Sequence, residues 1–166
     1  MAKVLVIRLS AMGDVAMTVA VIYSAAKANP EDSFTVLTQA FLMPLFMNRP
    51  PNVEVIGINT KGAEKGLIGL LKFISALLKF DFDVILDLHN VIRTIIICTF
   101  FRLNGKRVFV LDKARKERKR LTAIKGKRLY PLRPVIVRYA DVFRAAGLNY
   151  TETFTSLYEE FPAELS

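Results

Sequence analysis

Cysteine occurs once in these 166 residues and histidine once. A lone thiol, Cys98, excludes an intrachain disulfide framework and a cysteine zinc cluster. A lone imidazole, His89, excludes a histidine pair on a metal. Cys98 stands among Ile95, Ile96, Ile97 and Phe100, which marks it as a buried, inert thiol and suits a reducing cytoplasm. Long apolar runs are missing too. Hydrophobic residues make up 52% of the chain, yet they fall in short segments broken by charges. The longest apolar-leaning stretch, Val91–Phe101, carries Arg93 and is too short to cross a bilayer. Met1 leads almost directly into an apolar strand, so no secretory leader is expected. Glycine is sparse where nucleotide loops need it. The first strand-to-helix turn holds only Gly13, against the three glycines of a dinucleotide fingerprint, and it lacks the Gly-Lys-Ser/Thr of a phosphate loop.

Positive charge is abundant and concentrated. The formal net charge is +9, and nearly all of it lies in Lys113–Arg128, where nine basic residues accompany one acid, Glu117. Thr151–Ser166 holds four glutamates and no base. A basic segment on a nearly neutral body implies a polyanionic partner: nucleic acid, a phosphorylated lipid headgroup or a nucleotide.

The chain alternates between apolar β-branched runs and helical patterns. Strands are expected at Val4–Ile7, Phe34–Leu37, Val53–Ile58, Val84–Leu88 and Arg107–Leu111. Helices are expected at Asp14–Ala28, Phe41–Met47, Leu67–Phe80, Val91–Leu103 and Pro134–Ala146, with stops at Asn29-Pro30, Pro50-Pro51 and Gly147. Five strands that read as continuous apolar runs, each followed by a crossover, predict an α/β doubly wound, Rossmann-like, mostly parallel sheet. Ligands of such sheets bind outside the carboxyl ends of the strands. That rule selects Ser10–Asp14, Thr38–Phe41, Asn59–Gly66, Asp87–Arg93 and Asp112–Arg128.

Two of these loops carry candidate chemistry. In the first, Asp14 opens a helix, where a carboxylate favours the positive end of the helix dipole and can cap it. Equally, it is a carboxylate offered at the ligand edge, able to take a proton from a hydroxyl. In the fourth, Asp87, His89, Asn90 and Arg93 crowd together. Asn90 suits a helix cap, and Arg93 suits an anionic ligand. His89 has no assignable role.

The stretches VLVIRLSAMGDVAMTVAVI (Val4–Ile22) and FDVILDLHNVIRT (Phe82–Thr94) together resemble the amino-terminal half of the heptosyltransferases, glycosyltransferase family nine. Arg8, Leu9, Ser10, Gly13 and Asp14 match that family's opening turn, with Ala20 where it often has proline. Asp87, Leu88 and Arg93 match its second segment, with His89 where it has glutamine. The resemblance spans residues 3–147 and implies the amino-terminal half of a GT-B type, inverting enzyme. Such an enzyme moves heptose from ADP-heptose to a lipopolysaccharide-core glycolipid.

The resemblance also implies that Asp14 is the general base. Ser10, Gly13, Lys61, Lys65, Asn90, Arg93, Arg115, Arg118 and Arg120 are then expected to bind or attract the anionic acceptor at the cytoplasmic face of the inner membrane. It implies neither a metal nor a bound cofactor, and no Asp-x-Asp metal signature is expected in the chain. The nucleotide-sugar donor is expected on a second α/β domain, to which residues 148–166 lead. Residues 1–147 are then expected to form the acceptor-binding domain, and the 166-residue chain alone is expected not to transfer sugar. Nucleic acid is a weaker partner: the basic segment has no aromatic residue before Tyr130 for base stacking, and no helix-turn-helix or zinc spacing occurs. A flavodoxin-like nucleotide module is weaker still, since Ser10 and Gly13 make a thin phosphate loop.

Overall fold

Apolar strands flanked by two-sided helical cover need a buried sheet, and a computed structural model shows one. It describes residues 1–62, 64–114, 119 and 133–157. Five strands, β1 (Lys3–Ile7), β2 (Ser33–Gln39), β3 (Val53–Ile58), β4 (Val84–Asp87) and β5 (Arg107–Val110), form one sheet in the order β3-β2-β1-β4-β5. Every neighbouring pair is parallel. The order reverses at β1, so the crevice of such a sheet opens where β1 and β4 end.

Alternation along β1 divides the interior into two cores. Val4 and Val6 face α1 (Met12–Ala28) and α4 (Val135–Ala145), meeting Val15, Val19, Ile22, Tyr139 and Phe143. Leu5 and Ile7 face α2 (Gly66–Leu78) and α3 (Ile92–Leu103), meeting Leu70, Ile74, Leu77, Ile97 and Phe101. Cys98 belongs to this second core, and burial together with the nearby Asp87 carboxylate pushes its thiol up to about 12. It is therefore buried and unreactive, as its neighbours in sequence indicate.

A 3-10 helix, Ala40–Phe46, follows β2. It packs on Gly57 of β3 so closely that a Cβ there would lie 2.8 Å from the Ala40 Cα. Helix α1 begins at Met12, two residues before the expected start, because Ala11 is already extended and its carbonyl accepts the Val15 N–H. Asp14 therefore stands in the first turn and makes no capping hydrogen bond. The helix ends at Asn29, before Pro30.

After α4 and Gly147 the chain returns across α1. Asn29 Nδ2 donates to the Asn149 carbonyl (2.8 Å), and the Asn149 N–H donates back to Asn29 Oδ1 (3.1 Å). Ser24 Oγ accepts from both Thr153 and Phe154 N–H groups at 3.1 Å. Among the described residues no helix is long and apolar enough to cross a membrane.

Candidate functional site

The carboxyl ends of β1 and β4 lie side by side, with Ile7 opposite Asp87. Each strand contributes one buried charged residue at this point, and together these two build the site. From β1 comes Arg8. Its guanidinium is buried, donates through Nη1 to the Leu88 carbonyl (2.5 Å) and lies 5.8 Å from the centre of the Tyr139 ring. Its Nη2 pairs with Asp14 Oδ2. Asp14, with a side chain 41% exposed, is thus held at the edge by a cation that the strand has fixed.

From β4 comes Asp87, fully buried. Its Oδ1 accepts the backbone N–H groups of His89 (2.9 Å) and Asn90 (2.8 Å), and its Oδ2 accepts the Thr94 hydroxyl (2.8 Å). One carboxylate therefore shapes the whole turn into α3 and meets no solvent. Asn90 is not the helix cap. Val91 occupies that position, and Asn90 sits just before it with φ +51°, a left-handed conformation that asparagine tolerates better than most residues. Its Nδ2 donates to the Leu111 carbonyl at 3.0 Å, tying the β4 and β5 loops together.

His89 reaches back to the first turn, with Nε2 3.3 Å from Ser10 Oγ. Burial, then the Arg8 and Lys113 charges, lower its pKa to about 4, so the ring is neutral at pH 7. Its Nδ1 is buried without a hydrogen-bond partner. The Arg8–Leu88 hydrogen bond and the Ser10–His89 contact thus join the first and fourth loops at the switch point.

Gly13 lies between them in the first turn of α1, and a Cβ added there would meet nothing within 4 Å. Neither backbone conformation nor crowding requires glycine at this position. Arg93 is on the first turn of α3, where its Nη1 donates to the Glu64 carbonyl (3.1 Å), so it braces the β3–α2 loop. Lys61 and Lys65 are exposed on that loop. Arg115, Arg118 and Arg120, with most of the basic segment, lie outside the described residues. Beside the site, beyond β5, a groove of about 240 Å³ is lined by Asp112, Ala114, Arg133, Arg138 and Asp141.

Sequence reasoning singled out Asp14, Ser10, Gly13, Asn90 and Arg93, and the structure gathers them along one edge. It missed Arg8 as a working part. The available signal was an arginine closing an otherwise apolar strand, six residues before an aspartate. One expectation needs correction: an Asp-x-Asp spacing does occur, at Asp81–Asp83. It lies at the opposite, amino-terminal edge. There Asp81 pairs with Lys106, which draws its carboxyl below the usual range, and Asp83 accepts the Lys3 N–H. Among the described residues no group of three or more His, Cys, Asp and Glu side chains could hold a metal ion.

No protein-family profile matches the chain, and no curated protein does. Solved structures do. A glycosyl transferase family 9 protein from Veillonella parvula matches with a TM-score of 0.64 at 21% identity, over 89% of this chain and 42% of that one. The E. coli heptosyltransferase WaaC with ADP matches with a TM-score of 0.61 at 22% identity, over 93% and 49%. E. coli ADP-heptose lps heptosyltransferase II matches with a TM-score of 0.54 at 21% identity, over 84% and 39%. The chain spans about half the length of these structures or less. The shared feature is the fold, a parallel α/β sheet of the kind found in GT-B glycosyltransferases.

Proposed function

We propose that this chain is the acceptor-binding half of an inverting glycosyltransferase, with Asp14 as general base. The observation that carries the reading is the Arg8–Asp14 pair at the switch point of a glycosyltransferase-like sheet. A buried guanidinium anchored on the Leu88 carbonyl aims a half-exposed carboxylate outward, where a substrate hydroxyl can approach. Such positioning is what a weak base needs. Proton transfer late in the displacement requires a well-placed acceptor more than a strong one.

In the proposed reaction the acceptor hydroxyl oxygen bonds to the anomeric carbon of the donor sugar, inverting it. The carbon–oxygen bond to the nucleoside diphosphate breaks, and the diphosphate leaves with the electron pair. The hydroxyl proton passes to Asp14. Ser10, neutral His89 and the open space at Gly13 form the acceptor side of the pocket. Asn90 and Arg93 hold its walls.

The donor is proposed to be ADP-heptose or a similar nucleotide-sugar, bound by a second domain that residues 148–166 approach. The acceptor is a phosphorylated lipopolysaccharide-core glycolipid, attracted by Lys61, Lys65 and the basic segment at the cytoplasmic face of the inner membrane. On this reading the 166-residue chain alone binds acceptor and does not transfer sugar.

The test is transfer from ADP-heptose to a core glycolipid by the protein together with its donor domain, comparing Asp14→Asn with wild type. The expected loss in kcat is at least about a hundredfold, the usual scale for a general base, with donor affinity unchanged. Transfer at the wild-type rate by Asp14→Asn would refute the assignment.

A further inference from the structure

At the edge of the sheet that presents Asp14, the first turns of α2 and α3 leave large apolar side chains in solvent. Ile68 is 74% exposed and Leu67 61%; across from them Ile92 is 79% exposed and Ile95 46%. Helix α2 has eight large apolar residues from Leu67 to Leu78; Leu70, Ile74 and Leu77 are buried in the core and Phe73 and Leu78 pack against it, while Leu67 and Ile68 stay outside. The Arg93–Glu64 hydrogen bond ties the start of α3 to the loop entering α2, so the two helix starts are neighbours.

The charges around these tips are predominantly positive. Lys61 and Lys65 precede α2, Lys72 lies in its second turn and Arg93 stands beside Ile92. The only acid there among the described residues, Glu64, spends its carboxylate on the Asn59 N–H at 2.8 Å. Apolar tips rimmed by cations are complementary to an anionic bilayer surface, where the hydrocarbon groups enter the headgroup boundary and the cations meet lipid phosphates.

We propose that the start of α2, with Leu67 and Ile68 as the leading residues and Ile92 of α3 beside them, docks on an anionic phospholipid surface. This rests on the lipid-linked acceptor proposed above and deepens it. The docked edge is the one that carries Asp14, so the base faces the plane in which a membrane-anchored acceptor would lie.

The chain contains no tryptophan, so the variant Ile68→Trp carries a single insertion probe. With vesicles of phosphatidylethanolamine and phosphatidylglycerol its emission is expected to shift to the blue. With phosphatidylcholine vesicles the shift is much smaller. Binding measured by co-sedimentation should fall about tenfold or more in Leu67→Ser/Ile68→Ser. It should persist in wild type at about 0.5 M salt, where the Debye length is only a few ångströms. Binding carried by the basic segment alone would vanish at that salt and ignore the double variant, and either result overturns the proposal. So does an unshifted Ile68→Trp spectrum on bound protein. Asp14→Asn should bind vesicles as wild type does, so transfer at the wild-type rate by that variant, with docking intact, sinks the catalytic reading and leaves this one standing.

Discussion

Gly13→Ala separates what the fold needs from what the site needs. Residue 13 occupies the first turn of α1, and a methyl group there would touch nothing within 4 Å. On structural grounds the substitution therefore has no steric cost. It removes backbone freedom from the unfolded chain, worth about 0.4–1 kcal/mol in favour of the native state. For a domain of this size that raises Tm by about 1–4 °C. On the proposed reading the same methyl, however, narrows the open space at the turn that carries Asp14, where an acceptor hydroxyl must come within about 3 Å of the carboxylate to lose its proton. Displacing a reacting group by about 1 Å costs on the order of a hundredfold in rate, so kcat/KM for the acceptor should drop by about ten- to a hundredfold while donor affinity is unchanged. Thermal unfolding and steady-state transfer on one preparation measure both. A variant that is more stable and equally active would refute the placement of the acceptor beside Gly13. A destabilised variant would refute the helical geometry assigned to it.

Arg8→Met keeps the volume of the buried side chain but strips the Leu88 carbonyl of its donor. It should lower stability in urea by about 1–3 kcal/mol and reduce kcat more than acceptor KM, since Asp14 loses its anchor. Asp87→Asn supplies one acceptor oxygen where the carboxylate serves two backbone N–H groups and the Thr94 hydroxyl, so a comparable loss of about 1–3 kcal/mol is expected by the same denaturation. His89 gives a pH dependence. Its pKa is depressed from 6.5 to about 4 by folding, so the unfolded chain binds the extra proton first. Its contribution to stability is fully present above pH 6.5 and is lost as pH falls towards 4. Urea midpoints across that window should decline less steeply for His89→Gln than for wild type; parallel profiles would show that the ring is not the titrating group.

The order of elements was legible because strand and helix signals in this chain rarely compete. Val4–Ile7, Val53–Ile58 and Val84–Asp87 are β-branched or apolar runs, and Pro30 and Gly147 close helices where the backbone demands it. The boundaries were harder where a side chain does two jobs. Asp14 and Asn90 both have the chemistry of a cap. Yet Asp14 turns to Arg8, and Asn90 takes a left-handed conformation to hold the Leu111 carbonyl. Those choices depend on which strands are adjacent: Arg8 is fixed by Leu88 of the β4 end, 80 positions away, and Asn90 by Leu111 of the β5 end, 21 positions away, and no local pattern encodes either contact. The partners of Ser10 and Arg8 were hidden for the same reason. The exposure of Leu67 and Ile68 was equally invisible, since helical periodicity does not distinguish an apolar residue that reaches the core from one that stops short of it.

The return of the chain across α1 bears on synthesis. Ser24 and Asn29 find their partners at Thr153, Phe154 and Asn149, 120 to 130 residues downstream. At ribosomal rates of about 5–20 residues per second, the nascent protein waits roughly 6–26 s between making α1 and making the strap that covers it. Through that interval this outer surface of α1 is open to other chains. A serine and an asparagine there, both buried once the strap closes, leave hydrogen-bonding groups in water where leucines would leave grease. The polar lining thus serves the half-made molecule as well as the finished one.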